Sequence, residues 1–148
     1  MKLDITIEAK PLIYNVEIPG YGMFTVRRLG AGAQADLSDE LAAAQKAQEQ
    51  IMEDFADTIA EEKRLVRAND QEGLNVLRAS EAYKEVQSAQ RKVSQMLQDA
   101  VNHSNRIELG LWDSEDKQAL ERFRNDFTIE QIRGFYQQVM QQATGDKA

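Results

Sequence analysis

Hydrophobic positions follow a two-residue period at the start of the chain and a helical period after it. The segment LDITIEA, residues 3 to 9, alternates apolar and polar residues strictly, and LIYNVEI (12 to 18) and MFTVRRL (23 to 29) are also typical of strands. Pro19, Gly20 and Gly22 separate the last two segments, and these residue types favour a tight turn. We therefore predict a small antiparallel sheet of two or three strands within residues 1 to 30.

The helical period begins after residue 35. Apolar or small residues recur there at steps of three, four or multiples of seven, namely Leu37, Leu41, Ala44, Ile51, Phe55, Ile59 and Val66. This spacing predicts a helix of about thirty residues, capped by Asp36 or Ser38. The segment NDQEG, residues 69 to 73, interrupts the pattern, and we expect Gly73 to be the turn residue.

A second long helix is predicted from a stricter repeat. Steps of three and four alternate through Ala79, Ala82, Val86, Ala89, Val93, Met96, Ala100, His103 and Ile107. Such a repeat, rich in alanine, is typical of close packing against another long helix, as in a coiled coil. An antiparallel hairpin with the preceding helix is the simplest arrangement, although pairing with another molecule would leave the same pattern.

Two shorter helices are predicted near the end of the chain. Asp113 or Ser114 is expected to begin the first, which would bury Ala119, Leu120 and Phe123. Thr128 and Gln131 have the spacing of a capping box for the second, with Phe127 placed to pack against Ile132. The apolar face of this second helix would consist of Ile132, Phe135, Tyr136, Val139 and Ala143.

Together these elements predict an α+β fold that is mainly α. The β-hairpin region (1 to 30) is followed by a helical region (36 to 143) that comprises the long antiparallel helical hairpin and the two short helices. Residues 144 to 148 are polar and are expected to form a flexible tail. At 148 residues the chain is the size of one ordinary domain, so a single domain is the simplest prediction.

Composition narrows the class of protein. The chain has no cysteine, which excludes disulfides and thiol nucleophiles and favours a reducing compartment. It has neither an apolar signal segment in its first ten residues nor a membrane-spanning run, so we expect a cytoplasmic protein without a membrane partner. The formal net charge is −7, and residues 36 to 68 hold nine acidic and four basic residues. Such a surface repels phosphate backbones, so nucleic acid is an unfavourable partner.

One motif resembles a dinucleotide-binding turn. Gly30, Gly32 and Ala35 fit the pattern G-x-G-x-x-A after a strand-like segment. A dinucleotide site also needs a second parallel strand after a short helix, with an acidic residue about twenty positions on. The chain is predicted to stay helical instead, so we interpret the two glycines as a turn from the hairpin into the helix.

Other arrangements of polar residues have similar structural explanations. Glu53, Asp57 and Glu61 stand four apart on one helical face, which is more typical of a solvated acidic surface than of a metal site. His103 lies four residues after Asp99, and a single such pair cannot hold a metal. Residues 102 to 104 fit the acceptor sequence for N-glycosylation, but a cytoplasmic protein does not meet the glycosylation enzymes. We therefore predict no enzyme activity, no cofactor and no metal.

Aromatic residues and one methionine are the candidates for contact with a partner. Trp112 lies at a predicted helix junction, and the β-hairpin leaves a strand edge that can accept another strand. The candidate partner-binding residues are Tyr14, Tyr21, Met23, Phe24, Trp112, Phe135 and Tyr136. Met52, Met96 and Met140 add flexible apolar side chains that suit varied partners.

The hairpin segment NVEIPGYGMFTVRRLGAGAQADL, followed by an acidic helical remainder rich in alanine and glutamine, resembles the tail assembly chaperones of long-tailed bacteriophages and prophages. This resemblance implies a small helical protein that coats the tape measure protein, helps recruit tail tube subunits and is absent from the finished tail. It also implies that a longer product can arise by ribosomal frameshifting. The alanine-rich repeat from Ala79 to Ile107 is more like a coiled coil than expected of compact members. The alternative is a structural or adaptor subunit that oligomerises through its helical hairpin and stays in a complex.

Overall fold

The computed structural model describes residues 12 to 145, with side chains to Ala143. The predicted hairpin is confirmed: β1 (Ile13–Ile18) and β2 (Gly22–Arg27) are antiparallel, and Val16 lies opposite Phe24. Gly20 and Gly22 have φ angles of 86° and 102°, which a residue with a side chain adopts only with strain. The strand predicted at residues 3 to 9 lies outside the described residues.

A third strand comes from a part of the chain where we predicted a helix start. β3 (Trp112–Asp113) pairs antiparallel with β2, so the order in the sheet is β1-β2-β3. The prediction that Asp113 or Ser114 begins a helix is therefore wrong. Asp116 is the cap instead, because its carboxylate accepts hydrogen bonds from the backbone N–H groups of Gln118 and Ala119.

The first long helix begins earlier than predicted. It consists of α1 (Ala31–Asp54) and α2 (Ala56–Arg67), so Asp36 and Ser38 lie inside it rather than at its start. The two parts are almost continuous, since the N–H of Phe55 donates to Ile51 and the N–H of Ile59 donates to Phe55. Gly32 is helical and does not form a turn as predicted.

The turn after α2 is also built differently. Asn69, with a φ of 51°, is the residue in the left-handed conformation, and Gly73 lies inside α3 (Gln71–Arg78). The side chain of Asp70 caps α3 by accepting from the N–H of Gly73 at 2.9 Å. A Cβ at Gly73 would lie 2.7 Å from Cδ2 of Leu65, so glycine is needed there for close packing rather than for a turn.

The second long helix, α4 (Glu81–Gly110), starts two residues after the predicted Ala79. Ser80 precedes it, and its hydroxyl accepts a hydrogen bond from the N–H of Tyr83 at 3.3 Å. The chain then continues through β3 to α5 (Lys117–Asp126) and α6 (Ile129–Gly145). The segment expected to form a flexible tail begins inside α6, and its last three residues lie outside the described range.

The chain divides into two compact units, and the divisions fall within α1 and α4. Unit 1 holds the described residues 12 to 34 and 104 to 145, and unit 2 holds residues 35 to 103.

The core of unit 1 centres on Phe123. Its ring is fully buried and lies 5.1 Å, centroid to centroid, from the rings of both Phe24 and Trp112. Burial of Ala119, Leu120 and Phe123 on α5 is confirmed. The capping box of α6 is confirmed as well, because the N–H of Gln131 donates to the Thr128 hydroxyl and the N–H of Thr128 donates to the Gln131 side chain.

Unit 2 is the predicted antiparallel helical hairpin. Two contacts show its direction. Glu40 on α1 lies 2.6 Å from His103 near the end of α4, and Glu62 near the end of α2 lies 3.6 Å from Arg78, the last residue of α3, shortly before α4 begins. Its buried residues recur every seven positions or a multiple of seven on each long helix, namely Ala44, Ile51 and Leu65 on α1 and α2, and Val86, Val93 and Ala100 on α4. The seven-residue spacing within the predicted repeat is therefore confirmed.

We predicted too many residues in the contact surface between the two long helices. Only one position per heptad is buried, whereas Leu41, Val66, Ala79, Ala82 and Met96, all predicted to face the partner helix, are exposed. Leu65 takes the buried place predicted for Val66. Two helices alone can cover only a narrow stripe of each other, which leaves the flanking apolar positions open.

Candidate partner-binding surfaces

All seven candidate partner-binding residues belong to unit 1, but they differ in access. Phe24 and Trp112 are buried in the core, at 1% and 2% exposure, so their rings do not form part of the surface. Met23 is 59% exposed. The remaining four, Tyr14, Tyr21, Phe135 and Tyr136, are half-buried.

Hydrogen bonds fix the three tyrosines of this set. The hydroxyl of Tyr14 accepts from Arg28 at 2.7 Å, and that of Tyr136 accepts from the backbone N–H of Leu29 at 3.0 Å. The Tyr21 hydroxyl donates to Asp126 at 2.7 Å, and this bond raises the pKa of Tyr21. Tyr21 and Tyr136 therefore tie the β-hairpin and the segment after it to helices α5 and α6, whereas the Tyr14 bond lies within the hairpin region.

A groove lies between β1 and α6, and we call it the β1–α6 groove. Its volume is about 400 Å³. The apolar side chains that line it are Val16, Ile18, Pro19, Trp112, Phe127, Phe135 and Val139. Glu17 is the charged residue of its rim, where Gln138 and Gln142 also lie. The volume and the apolar lining are typical of sites that take up one or two side chains or a small ligand.

Trp112, which lines this groove, has a buried donor without an acceptor among the described residues. The indole Nε1 of Trp112 is inaccessible and has no hydrogen-bond partner among the described residues. Trp112 also lines a second cavity of about 200 Å³, next to Ile132 and Tyr136. Buried N–H groups are almost always paired, so this donor is an exception in the core of unit 1, and its burial keeps it from contact with a group in either cavity.

A third opening lies beside β2 and β3 and is polar. Lys117 donates to the carboxylate of Asp113 at 2.8 Å, and this hydrogen bond, with a second from the N–H of Ser114, lowers the pKa of Asp113. The Ser114 hydroxyl donates to the backbone carbonyl of Met23 at 3.0 Å. Its polar groups are thus already engaged with one another, and they brace β3 against β2.

Unit 2 exposes apolar residues on one side of its hairpin. Met52, Val66 and Val101 each directly follow a buried residue, and successive helical residues are rotated by about 100°. Because the helices are antiparallel, this rotation brings all three to the same side. Leu41, three residues before the buried Ala44, lies on that side as well.

The exposed fractions of these four residues run from 44% for Leu41 to 51% for Val66. Phe55, Ile59 and Leu97 are half-buried between them. We call this set the apolar side of the hairpin.

The opposite side of the hairpin is mostly acidic or small. Glu40, Ala47, Asp54 and Glu61 recur there every seven residues, and His103 meets Glu40 on this side. Met96, three residues after Val93, lies on it too. Most acidic side chains are therefore separated from the apolar side. The exception is Glu62, which lies on the apolar side three residues before Leu65 and is 3.6 Å from Arg78.

The carboxylates considered as metal ligands do not converge. Arg64 donates two hydrogen bonds to Glu61, at 2.6 and 3.0 Å, and they lower the pKa of Glu61. Asp99 accepts from Gln95 rather than meeting His103. Within residues 12 to 145 there is no group of three histidine, aspartate or glutamate residues that could hold a metal ion.

The G-x-G-x-x-A motif does not have the structure of a dinucleotide site. Helix α1 begins at Ala31 and is followed by further helices, and the sheet formed by the described strands is antiparallel throughout. Neither Gly30 nor Gly32 has a positive φ, in contrast to Gly20 and Gly22. The motif is thus part of a helix start.

Comparison with known protein families, curated proteins and solved structures finds no match to this chain. Within the described residues, every helix is too short or too polar to cross a membrane. The case for a function therefore comes from the two surfaces described above and from the resemblance noted in the sequence.

Proposed function

We propose that this protein is a non-catalytic phage tail assembly chaperone that binds an aggregation-prone client, the tape measure protein, and helps recruit tail tube subunits. The observation that carries the proposal is the apolar side of the unit 2 hairpin. Leu41, Met52, Val66 and Val101 form an exposed apolar surface on a helical hairpin whose other side is acidic. Exposed apolar patches of this kind mark sites of protein interaction.

The chemistry of this side suits a client that must later be released. Methionine is flexible and polarizable, so Met52 can adapt to different apolar side chains. The half-buried Phe55, Ile59 and Leu97 add area without creating a deep pocket, which favours many weak contacts over a few strong ones. The acidic side keeps the complex in solution, which is the main physical requirement of a protein that holds apolar chains.

The proposed place of action is the cytoplasm of the host cell, where tails assemble. The acidic surface and the net charge of −7 support a protein partner rather than nucleic acid. The resemblance identifies the client as the tape measure protein and the recruited subunits as those of the tail tube. We propose that these partners bind to the exposed surfaces of the two units.

The alternative is a structural or adaptor subunit that oligomerises through the hairpin and remains in the particle. The strict seven-residue spacing of buried residues on both long helices favours it, because a coiled-coil pair with an open apolar side can add further helices. Mass spectrometry of purified mature particles separates the two functions. A fixed stoichiometric amount of this chain supports the structural subunit, and its absence supports the chaperone.

Co-expression tests the proposed chaperone directly. A fragment of the tape measure protein, taken from a neighbouring gene of the same cluster, is produced alone and together with the full chain. We expect the soluble fraction of the fragment to rise several-fold with the full chain present. An unchanged soluble fraction in the presence of abundant, folded chain would refute the proposal.

A further inference from the structure

We propose that the apolar side of the unit 2 hairpin binds its client as a third helix, an amphipathic helix whose apolar stripe is flanked by acidic residues. This inference deepens the proposed function, on which it rests for the kind of partner. It names the conformation, the length and the charge of the segment that the client supplies.

The first support is the spacing of the exposed and half-buried apolar residues. Met52, Ile59 and Val66 are seven residues apart, and Leu41 and Phe55 are fourteen apart. Seven helical residues rise by about 10.5 Å, and a helix with an apolar stripe repeats that stripe at the same interval. In an extended segment, residues on one side recur about every 6.8 Å, which does not match this interval. The spacing therefore favours a helical client.

The length of the apolar side suits several helical turns. From Leu41 to Val66 it extends over about 38 Å, at about 1.5 Å per residue. A client helix of about 21 residues spans about 31 Å of this length. Residues 3 to 9 of this chain do not have the required repeat, because their apolar positions are two apart.

Uncharged polar residues widen the surface beyond its apolar members. Gln48 lies seven residues after Leu41 and seven before Phe55, so it belongs to the same side. Gln90 lies seven residues before Leu97 and belongs to it as well. Along α4 there is a shallow groove of about 660 Å³, lined by Gln87, Gln90, Arg91, Ser94, Gln95 and Gln98. A helix over the apolar residues therefore covers mostly neutral side chains on α4, which is easier than the burial of charges.

Basic residues border the half of this side that is nearer to α3. Lys63 lies one turn after Ile59 on α2. Arg91 lines the groove along α4, and Lys84 lies seven residues before it. All three basic side chains are exposed, and the ion pairs within the described residues do not include Lys63 or Arg91. Acidic residues beside the apolar stripe of a client are attracted to these cations.

Acidic residues contribute less to this border. Glu62 lies on the apolar side, but Arg78 is 3.6 Å away and offsets its charge. Glu81 is 3.8 Å from Lys84, and Glu49 borders the half away from α3. Charges separated by more than about 8 Å are largely screened at physiological salt, so the local basic border outweighs the net charge of the chain. The acidic residues of the client are therefore expected in the half of its helix near α3.

The test measures binding of labelled peptides to the full chain by fluorescence anisotropy. The acidic probe is fluorescein-LAALEQELAALEQELAALEQE-amide. The basic probe has lysine in place of every glutamate, and the proline probe has LAPLEQE as its central heptad, which breaks the helix. We expect saturable binding of the acidic probe and roughly tenfold weaker binding of the other two.

The net charge of −7 alone would give the opposite order, because an acidic protein attracts a basic peptide. Binding of the basic probe or of the proline probe as tight as that of the acidic probe would overturn the inference. The absence of saturable binding of the acidic probe would overturn it too.

A double variant locates the contact. Lys63→Gln with Arg91→Gln removes two cations from the border and is expected to weaken binding of the acidic probe several-fold. Glutamine is a good helix former, so both helices are retained, and circular dichroism checks the fold.

The matched control is Lys46→Gln with Lys92→Gln. It makes the same change in net charge at exposed positions of the two long helices. Lys46 comes two residues after the buried Ala44, and Lys92 comes directly before the buried Val93, so neither lies on the apolar side. We expect unchanged binding of the acidic probe. An equal loss in both double variants would show that net charge attracts the probe and would refute the site.

A second copy of this chain is the competing occupant of the apolar side. Sedimentation velocity of the full chain, with and without the acidic probe, distinguishes the two. We expect the probe to bind to a single chain. A dimer that persists at high probe concentration without bound probe would assign the apolar side to a second copy and overturn the inference.

The two proposals fail separately. Rescue of the tape measure fragment without binding of the acidic probe leaves the chaperone function and contradicts the acidic helical client. Binding of the acidic probe without rescue contradicts the chaperone function and leaves the helix-binding surface.

Discussion

The carboxylate of Glu40 lies 2.6 Å from Nδ1 of His103, although 63 positions separate the two residues in the sequence. The contact joins the part of α1 that belongs to unit 2 to the end of α4 within that unit. It reflects the antiparallel register in which Ala44, the first buried residue of α1, is near the level of Ala100, the last buried residue of α4. The same register determines which side of the hairpin is apolar.

Removal of this pair is expected to have a small effect, because both side chains are more than 40% exposed. Exposed ion pairs contribute about 0.2–1 kcal/mol. We predict that Glu40→Gln lowers the free energy of unfolding by less than about 1 kcal/mol, measured by urea denaturation. Glu53→Gln, an exposed change on the same helix, serves as the control. A loss above about 2 kcal/mol would show that the hairpin depends on this contact far more than its exposure allows.

Gly73 is predicted to be intolerant of alanine. An added Cβ would lie 2.7 Å from both Cδ2 of Leu65 and the Asp70 carboxylate, so buried or capping groups must shift. We expect Gly73→Ala to destabilise the protein by about 1–3 kcal/mol, the usual cost of overpacking.

The matched control is Gly32→Ala, where a Cβ meets nothing within 4 Å and the backbone is helical. There we expect a gain of about 0.5–1 kcal/mol, because alanine is the better helix former. Thermal melts of both variants provide the measurement. Stabilisation by Gly73→Ala would contradict the packing described for α2 and α3.

The capping box of α6 is expected to contribute measurably to stability. Thr128→Ala removes the hydroxyl that accepts from the N–H of Gln131 at 3.2 Å, and such losses cost about 1 kcal/mol. Ser88→Ala, an exposed hydroxyl within α4, should change the free energy of unfolding by less than about 0.5 kcal/mol. The free energies of unfolding of the two variants are measured by chemical denaturation. An equal loss in both would exclude a stabilising role for the cap.

Tyr21 gives a pH dependence with a defined sign. Its pKa is raised above 10.0 by the hydrogen bond to Asp126, so the neutral hydroxyl is favoured in the folded state. The stabilisation is fully present below pH 10.0 and is lost as the pH rises through the folded-state pKa. Over a range from about pH 8 to above pH 10.0, wild type should therefore keep its advantage over Tyr21→Phe up to pH 10.0 and lose it progressively above that pH. A difference in unfolding free energy that stays constant over this range would contradict the interaction.

Elements with strong local signals could be predicted from the sequence. The PGYG turn and the capping box at Thr128 depend on contacts between near neighbours, and the seven-residue repeats are visible as a spacing within each helix. The structure confirms each of them. Helix starts were less certain. Gly30 and Gly32 suggested a turn, but glycine is tolerated in the first turn of a helix when the following residues are good helix formers, as they are after Ala31.

The features that were missed depend on contacts distant in sequence. Trp112 and Asp113 form a two-residue strand only because β2 is beside them, so no local pattern could reveal it. Leu41 and Val66 fit a helical stripe, yet a two-helix hairpin is too narrow to cover them. Met52 was predicted as an adaptable contact, whereas Val101, on the same open side, was recognisable only once the buried position before it was known.

The central claim is that the apolar side of the hairpin holds the client, and paired methionine variants test it most directly. Met52→Gln changes the apolar side, whereas Met96→Gln is the same substitution on the opposite side, with exposures of 46% and 39% respectively. Each folded variant is co-purified with the tape measure fragment, and the bound fragment is quantified per chain. We predict a several-fold loss for Met52→Gln, deepened by Val101→Gln, and no loss for Met96→Gln. Equal retention of the fragment by all three proteins would contradict the claim.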